Sequence, residues 1–430
     1  MHIVYWTDIQ FFTKLELSRI IDGWIMFRFA LLVVTSLAFS SQAIAAVKWN
    51  NGGSSSAAGD PENYWRKAEK AKRCFGPEFD HFKDNISLKK IKVPSSDFEK
   101  INTPFGLQNS NQCKFSRIDL AAQIVPEPLI DARINSQYGG DDHKRFAPYY
   151  EFLSVNIGLN RQEPHGIAQE RLKQFLLTWS QSNALSKNIR FTLNQSFRLD
   201  YHIQTLIPLL ITTFSDLSED LTSTQKTEIG QWINRLVEDS QRSQFMSRQD
   251  NKAYLQHLTA LMWGIVINND DLIDQSRKAY QTAILDMRPD GTFPLEVSRG
   301  GSGLQYQNTA VNVLMTMAAF STLISENWIE YEVNGRSLKE AVQWLDSASS
   351  DPAMNKIYAR SCDGGSFASI DNPNMNYLNK QETGESELSW VPLYRFMTGE
   401  TPEFMAKGMR SYKGYWSKSA GPNACLFVTE

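Results

Sequence analysis

The sequence predicts an all-α protein, a set of antiparallel helical hairpins arranged as an (α/α) toroid or incomplete barrel. Three observations predict it. From about residue 163 onward, apolar residues recur at helical spacing over long segments. The connections between those segments are short and polar, such as Asn268-Asn269-Asp270 and residues 218–222, which makes successive helices antiparallel neighbours. No strand-like alternation of comparable length competes, and a curved or closed array is one way to bury so many helix faces.

Taken in order, residues 1–45 read as an N-terminal extension plus a signal peptide. From Met26 the chain runs MFRFALLVVTSLAFSSQAIAA, with a basic start at Arg28, an apolar run over 29–39 and an A-x-A site at Ala43 and Ala45. Cleavage is expected after Ala45, with Met26 as the true start; a genuine extension is the competing reading. The apolar run is shorter than the roughly 20 residues of a membrane span, so no stable span is expected and the mature chain is periplasmic or secreted. Residues 46–60 are rich in Gly, Ser and Ala and read as a flexible leader. Residues 61–430 form a single helical domain. It opens with a short helix over 61–73, with Pro61 in its first turn, followed by loops and short helices over 75–160. Long helices are expected over 165–184, 192–217, 223–246, 251–268, 270–287, 304–327 and 337–349. In the fourth of these, Tyr254, Leu258, Leu261 and Ile265 line one face.

Composition narrows the function. A net charge of −3 gives no basic field for nucleic acid, although a few cations inside one cleft still suffice for a polyanion. An aromatic share of 12% with 11 Trp permits a sugar-stacking groove, and equally a well-filled core. Export makes the four cysteines disulfide candidates, and nearest-neighbour pairing, Cys74–Cys113 and Cys362–Cys425, is the simplest of three connectivities. No Cys/His ligand spacing occurs and the six His are dispersed, so neither metal nor organic cofactor is expected. The expected state is a monomer.

One interruption of the helical pattern carries charge and turn formers together: RPDGTFPLEVSRGGSG over 288–303, entering a helix at LQYQN. Read alone it is a long loop, with Arg299 pairing with Glu296. Likewise Asp250 or Asn251 reads as an N-cap, Lys252 as a solvated first-turn residue and Tyr306 as a core aromatic.

The joint spacing points further. The run RPDGTFPLEVSRGGSGLQYQNTAVNVL resembles the alginate lyase family, in which an Arg precedes a Tyr by seven residues. Asp250-Asn251-Lys252-Ala253-Tyr254 resembles that family's Asn-His run at the start of an earlier helix. Ser136-Gln137-Tyr138-Gly139-Gly140-Asp141-Asp142 is similar to its lid loop, and Leu177-Thr178-Trp179, Ser389-Trp390 and residues 420–427 match more faintly, giving coverage of roughly residues 110–430. The resemblance implies a helical toroid and a catalytic set of Asn251, Lys252, Arg299 and Tyr306. It implies sugar contacts at Gln137, Tyr138, Arg248, Tyr254 and Gln307. The chain departs from the family at Lys252 (family His), Gln307 (His) and Gln137 (Lys).

The residue types suit β-elimination of a 4-linked uronate. The C5 proton is acidic only when the adjacent carboxylate is neutralised, so the reaction needs donors to the carboxylate, a base at C5 and an acid for the leaving oxygen. Asn251 supplies an amide and Arg299 a permanent cation. Tyr306 acts as acid, and as base if its cationic neighbours lower its pKa. Lys252 either helps neutralise the carboxylate or is itself the base. The implied substrate is an acidic polysaccharide: alginate, polymannuronate or polyglucuronate. The alternatives are a glycoside hydrolase using Asp290 and Glu296, and a glycan-binding protein that has lost its base.

Overall fold

The computed structural model describes residues 123–129, 142–185, 197–241, 250–361, 371–378 and 386–409, together with Ser417, Gly421 and Phe427. All lie in the second of two units into which the chain divides, Met1–Ala58 and Gly59–Glu430. The signal-peptide region, the leader, the 61–73 helix, Gln137, Tyr138, Arg248 and the four cysteines lie outside the described residues.

The structure is all-α, as the periodicity predicts. Its helices are α1 (Asp142–Gln162), α2 (Ile167–Gln181), α3 (Phe197–Leu217), α4 (Ser223–Gln241), α5 (Asn251–Val266), α6 (Asp270–Leu285), the single turn α7 (Pro294–Val297), α8 (Gly303–Ser321), α9 (Leu338–Ser350), α10 (Lys356–Ser361), α11 (Trp390–Thr398) and α12 (Glu403–Met409). They form two rows. In the inner row α1, α3, α5, α8 and α11 pack side by side in that order. In the outer row α2, α4, α6 and α9 each back the inner helix that precedes them, and α12 packs on α9. This alternation is the (α/α) toroid architecture.

Burial separates the rows. In α5, every residue except Ile265 is buried, whereas α6 buries only Leu272, Ile273, Ser276, Ala279, Tyr280, Ala283 and Ile284, one face at helical spacing. The α5–α6 hairpin shows how the turns are written. Asn268 takes the left-handed conformation (φ 52°) that ends α5, and Asn269 caps α6 by accepting the Leu272 N–H at 2.9 Å. Gly264 lets the two helices touch, since a Cβ there would come within 2.9 Å of the Leu272 Cβ.

Two elements depart from expectation. Helix α1 occupies a stretch assigned to loops and short helices. It contains Pro148 and buries consecutive residues, Phe152 through Ile157, so it shows no polar face for a periodicity argument to find. A two-residue hairpin, Glu332–Val333 paired antiparallel with Arg336–Ser337, was also not anticipated. Asn334 and Gly335 turn it with φ of 53° and 68°, the backbone of a type I′ turn.

The tryptophans among the described residues belong to the core. Trp179, Trp232, Trp263 and Trp390 are fully buried, and each indole N–H has a partner: the Pro126 carbonyl, the Ala184 carbonyl, Asn234 Oδ1 and Asn308 Oδ1. Among the described residues no helix is long and apolar enough to cross a membrane.

Candidate active site

The site assembles where α5 and α8 begin. Asp250 is the N-cap of α5, its Oδ1 accepting the Lys252 N–H at 3.1 Å, which places Asn251 and Lys252 in the first helical turn. Opposite them, Pro294 starts the single turn α7 and aims Glu296 back at α5. Glu296 accepts the Asn251 backbone N–H at 2.6 Å and its side-chain amide at 3.0 Å on both carboxylate oxygens.

Arg299 closes the cluster. Its Nε donates to the Leu295 carbonyl at 3.0 Å and lies 3.2 Å from Glu296 Oε2, while Nη2 donates to Asp250 Oδ2 at 3.2 Å. The guanidinium carbon stands 4.0 Å from the Tyr306 ring centroid, a cation–π stack. Burial orders these groups by depth. Asp250 and Glu296 are fully buried, Asn251 and Lys252 are 2% and 7% exposed, the Arg299 side chain is 17% exposed, and Tyr306 is half-buried. Arg299 and Tyr306 thus form the accessible layer, with Lys252 buried in the first turn of α5.

Burial pushes the Glu296 carboxyl up from its ordinary value; Arg299, the Asn251 N–H and Lys252 oppose that shift, and Asp250 adds to it. The donors that surround Glu296 are those of an ionised carboxylate. Tyr201, on the inner helix α3, is a neighbour that the sequence did not single out. Burial holds its phenol well above the ordinary range, with smaller contributions from Glu387, Tyr150, Tyr306 and Glu296. It and Glu387 belong to other helix ends, so no spacing in the chain announces them.

Two expected sugar contacts, Gln307 and Tyr254, lie buried, and the amide of the expected catalytic Asn251 is turned inward. Gln307 is fully buried, and its amide is spent on the preceding loop: Oε1 accepts the Phe293 N–H at 2.9 Å and Nε2 donates to the Gly291 carbonyl at 3.0 Å. It is a loop clamp. Tyr254 is 3% exposed and packs against Phe293 with ring centroids 6.0 Å apart, so it is a core residue. The Asn251 amide is turned inward onto Glu296 rather than outward. The two hydrolase carboxylates fare no better. Glu296 is enclosed, and Asp290 is held by the Thr292 N–H at 3.1 Å, the Thr292 hydroxyl at 2.8 Å and the Tyr358 hydroxyl. Among the described residues no three His, Cys, Asp or Glu side chains are grouped to hold a metal ion.

The two rows of hairpins are the helical toroid found in solved alginate lyases. Residues 154–354, which include Asn251, Lys252, Arg299 and Tyr306, match the family model for alginate lyases. The fold is that of alginate lyase A1-III from a Sphingomonas species, with a TM-score of 0.55 at 18% identity over 81% of this chain and 91% of that one. A tetrasaccharide complex of alginate lyase A1-III aligns with a TM-score of 0.54 at 16% identity, covering 84% and 94%. A polysaccharide lyase of Stenotrophomonas maltophilia (strain K279a) is 26% identical over 182 residues, 42% of this chain. The chain spans about half the length of that curated relative, 54%.

Proposed function

We propose that this protein is an exported polysaccharide lyase that cleaves a 4-linked polyuronate by β-elimination, leaving an unsaturated uronate at the new non-reducing end. The observation that carries this reading is the stack of Arg299 on Tyr306, a permanent cation and a phenol presented together at the accessible layer. The match to the alginate lyase family over this same segment supports it.

In this reading Lys252 and Arg299 neutralise the sugar carboxylate, so that removal of the C5 proton does not build a second full negative charge nearby. Tyr306 takes the C5 proton and returns a proton to the departing O4. The charge of Lys252 acts on the buried Glu296 carboxyl and opposes its upward shift, which suits a counter-ion better than a base. Alginate, polymannuronate and polyglucuronate all present the required carboxylate next to C5.

Incubating the protein with each of these polymers and following the ultraviolet absorbance of the unsaturated product tests the proposal. Growth of that absorbance on at least one polymer is expected. New reducing ends without it would mean hydrolysis, and tight binding with neither signal would mean a glycan-binding protein.

A further inference from the structure

Two carboxylates, Asp250 and Glu296, lie fully buried directly beneath the accessible layer. Burying an ionised carboxylate costs several kcal/mol unless donors and counter-charges surround it, so both need a reason to be there. Capping α5 explains only half of Asp250, since its second oxygen reaches across to Arg299. Glu296 caps nothing of its own helix turn. Its two oxygens join the start of α5, through the Asn251 N–H and amide, to Arg299 in the loop beyond α7.

The consequence falls on Arg299. A guanidinium donates within its own plane, and here Leu295, Glu296 and Asp250 accept from its Nε and Nη2 edge. Acceptors on that edge fix the plane, and the fixed plane lies over the Tyr306 ring. Without them, a long arginine side chain at a half-open surface would sample many rotamers.

We infer that Glu296 and Asp250 are positioning residues: a buried anionic brace that orients Arg299 against Tyr306 and ties both to the first turn of α5. This rests on the lyase reading for its effect on turnover, but not for its effect on Arg299 itself. Neither carboxylate touches substrate. The brace also explains why a bulky pair of buried charges is kept where an apolar pair of similar volume would pack.

The test uses the full chain carrying Glu296→Gln, which keeps the volume and one acceptor but turns an N–H₂ toward the donors around it. A second variant, Asp250→Asn, retains an N-cap side chain and loses the charge facing Arg299. Two readouts are taken. The first is kcat and KM on whichever polyuronate the unmodified protein cleaves: kcat is expected to fall about 100-fold in Glu296→Gln and about 10-fold in Asp250→Asn, with KM within threefold. The second is the guanidinium signal of Arg299, its Nε–H together with its Nη2 protons, in a nitrogen-15 spectrum, assigned by its loss in Arg299→Lys. It is expected to be protected from exchange in the unmodified protein and to lose that protection at least tenfold in both variants. Folded Glu296→Gln and Asp250→Asn proteins with unchanged Arg299 protection would overturn the inference. So would loss of protection with kcat within threefold of the unmodified protein. If no polyuronate is cleaved by the unmodified protein, the lyase reading fails by itself, and the resonance still decides whether the brace orients Arg299. Should Glu296→Gln not fold, Asp250→Asn carries both readouts.

Discussion

At the scale of single residues, the chemistry was legible only jointly. Asn251, Lys252, Arg299 and Tyr306 each have an ordinary explanation, and Asp250 is indeed the N-cap of α5; the spacing among them pointed to the cluster that the structure assembles. What spacing did not convey is depth. Nothing in the letters separates Gln307, sealed inside as a loop clamp, from its neighbour Tyr306, half-open at the accessible layer. If Tyr306 carries the proton, Tyr306→Phe lowers turnover by at least a thousandfold while oligouronate binding stays within threefold, as read by kinetics and calorimetry. More than about a tenth of the normal rate in that variant would remove Tyr306 from the mechanism. If Lys252 is a counter-ion, Lys252→His keeps at least a tenth of the activity at pH 6, where imidazole carries appreciable charge, and loses more at pH 8. Lys252→Met loses activity at both. Rates for the His variant that rise with pH instead would point to a base at this position.

Elements were read best where one helix face is wet. The outer helices α4, α6 and α9 show the expected alternation of buried and exposed positions, and their predicted spans lie within a few residues of those observed. Inner helices give up that signal as they are enclosed; α5 and α8 kept enough length to be found, but α1, with Pro148 and its unbroken buried run, did not. The loop between α6 and α8 is fixed by contacts that periodicity does not encode. Gly291 sits at φ 90°, and a Cβ there would meet the Glu340 carbonyl on α9. Gly291→Ala is therefore expected to cost about 2–5 kcal/mol, from a left-handed backbone at ~1–2 and overpacking at ~1–3. Denaturant unfolding reads this directly, and a loss under 1 kcal/mol would show that the loop re-seats without difficulty.

For the whole molecule, a buried histidine and a half-buried carboxylate set opposite pH limits. His257, buried with no partner for its Nδ1, is held down to about 4 by desolvation. Its neutral form stabilises the fold above its ordinary value of 6.5, and that contribution is lost as pH falls toward about 4. Asp286 is pushed up to about 7 by burial, against the pull of Arg336. Its contribution is present below its ordinary value of 3.8 and is lost as pH rises through about 7. Unfolding free energies measured at pH 4 and pH 7 should show His257→Gln gaining about 3 kcal/mol relative to the unmodified protein on acidification. Above pH 7, Asp286→Asn should flatten the decline. Parallel curves for variant and unmodified protein would assign the pH response elsewhere. The two-row architecture has one more consequence. Because every second helix returns the chain, the inner helices run parallel, and α3, α5 and α8 bring Tyr201, Asn251 and Tyr306 to one rim by their starting turns. Each such start carries the positive end of a peptide dipole, about half an elementary charge. At α5 that end rests on Asp250 and Glu296, which helps to keep two carboxylates ionised in the interior. At α8 the N-cap Ser302 offers no side-chain oxygen to the helix, and this buried start packs against Asn355 and the Val297 carbonyl. In a chain with a net charge of −3, helix direction thus gathers positive peptide-dipole ends around the Asp250–Glu296 pair and the Arg299–Tyr306 stack, before any cationic side chain is counted.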